Sequence, residues 1–107
     1  MNNRFMRIIV FFDLPVTSKK DRKAYTDFRK FLIKDGFIMI QYSVYAKTAR
    51  NYDDAKKHYA IIKKNVPSKG AVRAMIVTEK QYGSIEILAG ERMESENLLD
   101  NKDIIEL

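Results

Sequence analysis

The sequence predicts an α+β sandwich of the ferredoxin-like type, ordered βαββαβ with one extra strand near its C-terminal end. Two observations carry that expectation. Apolar, β-branched and aromatic runs at 4–12, 37–47, 71–78 and 84–88 alternate with two stretches of helical periodicity. Two helices in a chain of 107 residues cover one face of an antiparallel sheet and leave the other bare. A second copy of the chain is the natural cover, which predicts a homodimer through sheet faces and exchanged edge strands. Residues 1–90 are expected to form this domain, and 91–107 an acidic tail.

Ile8 to Phe12 is an unbroken apolar run, as expected of a strand buried on both faces, and it stops at Asp13. Ser18 then stands as N-cap with Asp21 three residues on, so a helix starts near Lys19. Ala24, Tyr25, Phe28, Phe31 and Leu32 make its apolar face, and Gly36 supplies a left-handed stop. Phe37 to Lys47 is strand-like but has polar Gln41 and Ser43 in its middle, which leaves two short strands or one bulged strand. Asn51 or Asp53 caps a second helix with Ala55, Tyr59 and Ile62 inward, ended by Val66-Pro67. Ala71 to Thr78 is the next strand, with Arg73 exposed. Lys80 to Gly83 then leads into a shorter strand at Ser84 to Leu88.

The formal charge of +6 hides an asymmetry. Residues 1–90 hold 18 Lys and Arg against 8 Asp and Glu, whereas 91–107 hold 2 against 6. A basic body favours a polyanionic partner, nucleic acid before membrane, although lysines also simply solvate helices. Arg22, Lys23, Arg29 and Lys30 on the first helix, with Lys47 and Arg50 in the loop before the second and Arg73 beyond it, are the candidate phosphate contacts. Most Tyr and Phe fall on core faces, which favours duplex over single strands. The tail ends Ile104-Ile105-Glu106-Leu107, whose apolar members suit docking on a partner. No segment approaches the roughly 20 apolar residues of a membrane span, and no signal peptide is evident, so a cytoplasmic location is expected.

The absence of cysteine excludes disulfides, thiolate metal sites and a cysteine nucleophile. The single histidine, His58, lies at the margin of an amphipathic helix and is expected to be structural. Neither Ser43 nor Ser84 has a nucleophile-elbow context, and no phosphate-cradling glycine loop occurs. Asp13 remains, either as a turn residue ahead of Pro15 or as a functional acid. One carboxylate holds Mg²⁺ poorly. Across a two-fold axis, Asp13 and its copy could share a cation that activates a phosphodiester.

Phe12-Asp13-Leu14-Pro15, the segment DRKAYTDFRKFLIKDGF, Gln41-Tyr42-Ser43-Val44-Tyr45 and Thr78-Glu79-Lys80-Gln81-Tyr82 together resemble the CRISPR-associated protein 2 family, over roughly residues 4–92. The form is similar to that of type II systems. The resemblance implies a ferredoxin-like homodimer whose last strand crosses to its neighbour. It implies a scaffold that bridges dimers of the CRISPR-associated integrase, protein 1, and holds duplex prespacer DNA for spacer acquisition. It matches Asp13 to the family's metal-binding acid, and several members are described as Mg²⁺-dependent endonucleases on RNA or DNA. The residue before that acid is often Tyr and is Phe12 here; the one after Ser-Val is often Phe and is Tyr45 here. A basic residue that some nuclease-active members carry before the Gln is replaced by Met39 and Ile40. The scaffold is therefore the first expectation, and an endonuclease using a pair of Asp13 residues the second.

Overall fold

The apolar run near the N-terminus forms β1 (Met6–Asp13), an inner strand of a four-stranded antiparallel sheet in the order β2-β3-β1-β4. The computed structural model describes residues 4–90. Two helices follow the expected signals. In α1 (Lys19–Lys34), the Ser18 hydroxyl accepts from the Asp21 amide at 2.9 Å, and Gly36 at φ +103° turns the chain back toward the sheet. In α2 (Tyr52–Lys63), the Asn51 side chain accepts from the Asp54 amide at 2.8 Å.

The stretch 37–47 resolves into β2 (Ile38–Gln41) and β3 (Val44–Ala49), joined by Tyr42-Ser43 and irregular in register between Met39 and Gln41. Both alternatives for this stretch are therefore present, a break and a bulge. The fourth strand, β4 (Ala71–Thr78), pairs with β1 along its whole length, from Met6 opposite Thr78 to Asp13 opposite Ala71. This strand order with two helices on one face is the expected ferredoxin-like arrangement.

Strand alternation sends Ile8, Val10 and Phe12 toward the helices. They pack there with Phe28 and Leu32 of α1, Ala55 and Ile62 of α2, and Tyr45. His58 joins the helices at their rim, its Nδ1 lying 2.8 Å from an Asp35 carboxylate oxygen, in keeping with a structural role. The other face carries a second, smaller core of Ile9, Ala46, Val77 and Tyr82. Beyond it, Phe11, Met75 and Ile85 are exposed.

Two expectations are corrected here. The connector after β4 is a short helix, α3 (Glu79–Gly83), with a full capping box between Thr78 and Gln81. Ser84 to Leu88 is not a strand in the described chain, and Ile85, Ile87 and Leu88 stand exposed. A strand exists only where another backbone satisfies its amides. Among the described residues, no strand pairs with this segment.

Arg7 fixes α3 on the open face. Its guanidinium forks onto the Glu79 carboxylate at 2.6 and 3.3 Å and lies 4.2 Å from the centre of the Tyr82 ring. Replacing Arg7 with Met should therefore lower stability by about 1–2 kcal/mol in urea denaturation at fixed protein concentration. The same change at Lys23, whose pair with Asp27 is exposed, should stay within about 0.5 kcal/mol. Equal effects at the two sites would contradict the clamp.

Candidate nucleic-acid interface and the Asp13 strand end

Asp13 is exposed at the end of β1, and alternation with Ile9 and Phe11 places it toward the open face. Its strand end is held from two sides. Gly70, at φ +89°, passes so close that a Cβ there would lie 2.7 Å from the Asp13 carbonyl oxygen and 2.8 Å from Leu14. Only glycine fits that approach. From the other side, the Phe12 amide donates to the Ser43 carbonyl at 3.0 Å, which seats the β2–β3 hairpin against the same strand end.

Phe12 itself is clamped by aromatic rings. Phe28 meets it edge-on at 5.3 Å, and Tyr45 stacks on it at 5.6 Å with 22° between planes. The buried Tyr45 hydroxyl needs a partner and accepts from Arg29 Nε at 2.7 Å. Burial pushes the Tyr45 hydroxyl above its ordinary pKa, against the opposing pull of the Arg29 guanidinium.

The Asp13 carboxylate makes no hydrogen bond or ion pair among the described residues, so the alternative of a side-chain turn bond ahead of Pro15 is not what the structure contains. Nor do three His, Asp or Glu residues gather into a metal-holding group among them. Asp13 alone offers one hard oxygen donor, so a Mg²⁺ ion held there would have to take its remaining ligands from outside the described residues.

The candidate phosphate contacts do not form one stripe. Arg22, Lys23 and Lys30 share the outer surface of α1 with Lys19 and Lys20, which the charge reading passed over. Arg22 is held there by the Val16 and Thr17 carbonyls at 3.2 and 3.1 Å, and Lys23 by Asp27 at 2.8 Å. Arg29 belongs instead to the inward side, four residues after Tyr25 and three before Leu32, where it meets Tyr45. Lys47 is in β3 rather than the following loop, on the helix-facing side opposite Ile8, with its ammonium over Gly36. Arg50 lies in the loop, its guanidinium 3.5 Å from Asp54. Arg73 lies opposite Phe11 on the open face. Ile104, Ile105 and Leu107 lie outside the described residues.

Exposed aromatics are also present, against the sequence reading. Tyr42 at the hairpin tip is 81% exposed. Its position in a two-residue turn, where the flanking strands cannot bury it, was the available signal. No helix among the described residues is long and apolar enough to cross a membrane.

The family model for CRISPR associated protein Cas2 matches residues 6–85. Among curated relatives named CRISPR-associated endoribonuclease Cas2, that of Acidovorax ebreus is 54% identical over 85 residues, covering 79% of this chain and 83% of the relative. That of Treponema denticola is 51% identical over 86 residues, covering 80% and 85%. That of Ligilactobacillus salivarius is 47% identical over 88 residues, covering 82% and 87%. A solved chain described as the crystal structure of cas2 shares the fold, with TM-score 0.57 at 20% identity over 85% of this chain and 92% of that one.

The locked ring stack makes a pH prediction. A hydroxyl whose pKa is raised by folding contributes stability that is complete below about pH 10 and is lost as pH rises through the folded value. Stability should therefore fall on alkalinisation above about pH 10, and Tyr45→Phe should flatten part of that fall in urea titrations. An alkaline limb identical in the variant would contradict the assignment.

Proposed function

The chain belongs to the Cas2 family of CRISPR-associated proteins, and on that premise we propose that it is a homodimeric DNA-binding scaffold of spacer acquisition. In this reading it bridges dimers of the CRISPR-associated integrase, protein 1, in the cytoplasm and holds duplex prespacer DNA for integration. The observation that carries the reading is the cationic outer face of α1, where Lys19, Lys20, Arg22, Lys23 and Lys30 converge on one helix surface. Such a face meets a phosphate backbone without reading bases. The open sheet face, with Phe11, Met75 and Ile85 exposed, supports the second copy. Ile104, Ile105 and Leu107 are proposed to dock on the integrase.

Charge reversal at Lys23 and Lys30 should weaken duplex binding to a similar degree for every sequence. It should also lower the log–log salt slope by about one unit for each phosphate that is no longer neutralised. Weakening confined to particular sequences would contradict the phosphate reading.

A second reading, Mg²⁺-dependent cleavage of RNA or DNA, rests on the exposed Asp13 carboxylate at a rigidly pinned strand end and on the endoribonuclease name of the relatives. Asp13 and its copy would hold the ion across the dimer axis. Bound there, Mg²⁺ would supply Lewis-acid activation of the phosphodiester. Gly70 and Phe12 would keep the two carboxylates in fixed orientation. In this reading Asp13→Asn abolishes Mg²⁺-dependent cleavage while leaving the sedimentation coefficient and duplex affinity unchanged. Cleavage that survives the substitution would end it.

A further inference from the structure

The outer face of α1 carries more positive charge than its own surroundings balance. Lys19, Lys23 and Lys30 are spaced by four and seven residues and share one side of the helix, with Lys20 and Arg22 beside them. Lys23 pairs with Asp27 at 2.8 Å, but Lys19, Lys20 and Lys30 make no ion pair among the described residues. Like charges at i and i+4, as at Lys19 and Lys23, oppose helix formation. Lys19 and Lys20 also stand in the first turn, where the helix dipole favours anions over cations. The bare face is therefore electrostatically unfavourable, and an anionic chain lying across it would relieve that. Because α1 packs Phe28 and Leu32 against the opposite side of the sheet, its outer surface stays accessible when a second copy covers the open face.

The chain itself supplies an anionic segment. Residues 91–107 hold six Asp and Glu against two Lys and Arg, whereas residues 1–90 hold 8 against 18. From Gly90, these 17 residues extend to about 56 Å, and no dimension of the molecule exceeds 43 Å. The segment is thus long enough to reach the α1 face of its own copy or of the paired one. A tethered segment acts at an effective concentration of up to about millimolar, so individually weak contacts suffice for it to occupy that face.

We propose that the acidic segment 91–107 lies on the cationic face of α1 in the free protein and competes there with duplex DNA. The proposal rests on the duplex reading of that face and adds its regulation. Nucleic acid gains the face only by displacing an internal polyanion, which weakens indiscriminate binding to any duplex. The acidic side chains make the contact, and Ile104, Ile105 and Leu107 take no part in it.

The test uses the full chain. A carbodiimide joins a carboxylate to an amine only where the two already meet, and mass spectrometry reads the linked residues. Lys69 and Asp21, 3.8 Å apart, provide an internal positive control. Acids of 91–107 should become linked to Lys19, Lys20, Lys23 or Lys30, and a saturating blunt duplex should suppress those links. A second full-length protein, with every Glu of 91–107 changed to Gln and every Asp to Asn, should bind duplex about tenfold or more tightly than wild type at about 50 mM salt. Links confined to other lysines, links that persist under saturating duplex, or equal duplex affinity of the two proteins would each overturn the proposal. So would a gain in affinity without links to α1, which would be an effect of net charge alone. If neither protein binds duplex, the nucleic-acid reading itself fails, and the links formed without DNA still decide whether the segment occupies the face.

Discussion

Among the described residues, four strands and two long helices leave most of one face of the sheet uncovered, and that unbalanced geometry governs their packing. Ile8, Val10 and Phe12 are satisfied by α1 and α2, whereas Ile9, Phe11 and Asp13 face away from them. The chain closes part of the second face itself. Arg7 draws Glu79 and Tyr82 down onto Ile9, Ala46 and Val77, which turns residues after β4 into a small helical cover. The cover stops short of Phe11 and Met75. Apolar side chains left at the edge of a partly covered sheet gain by burial against another surface, at about 25 cal/mol per Å² of apolar area. Symmetric association of the same face with itself is the simplest arrangement that supplies such a surface.

The end of β1 shows how rigidity is delivered to a single carboxylate. Phe12 is fixed by Phe28 and Tyr45, Gly70 lets β4 begin against the Asp13 carbonyl, and the β2–β3 turn bonds the Phe12 amide. The two departures from the family pattern at this point lie on one stacked pair of rings. A hydroxyl is often found on the residue before the acid; here it is on Tyr45, where Arg29 satisfies it inside the core. Arg29 thereby serves the strand end from within, through its bond to Tyr45. Charge on a helix is thus not assigned by sequence neighbours but by the helical period, which puts Tyr25, Arg29 and Leu32 on one side.

Much of the fold was legible because its signals are local. Ser18 and Asn51 cap helices, Gly36 ends one, and the apolar periodicities name the faces that become the main core. What escaped was non-local or hidden by composition. The Thr78-x-x-Gln81 capping signature was present but lay in a segment too short for periodicity to mark, so α3 read as a connector. Ile85 and Ile87 alternate like a strand, yet no backbone among the described residues pairs with them. Lys47 closed the strand-like stretch and was also grouped with Arg50 in the following loop, whereas pairing with Ile8 and continuation to Ala49 place it inside β3. Asp13 stood out because a carboxylate at the tip of the most apolar run is costly unless exposed or used. Its neighbours Gly70, Ser43 and Tyr42 come from distant segments that only the register brings together.

The central claim is that the second sheet face, with the segment leaving α3, is completed by another copy of the chain. Amide hydrogen exchange of the full chain, compared in dilute and in concentrated solution, reads this residue by residue. The account predicts that the amides of Ile85 to Leu88 are unprotected when dilute and become protected on concentration, together with those on the free edge of β4. Free-chain exchange at Ile85 to Leu88 in both solutions would contradict it.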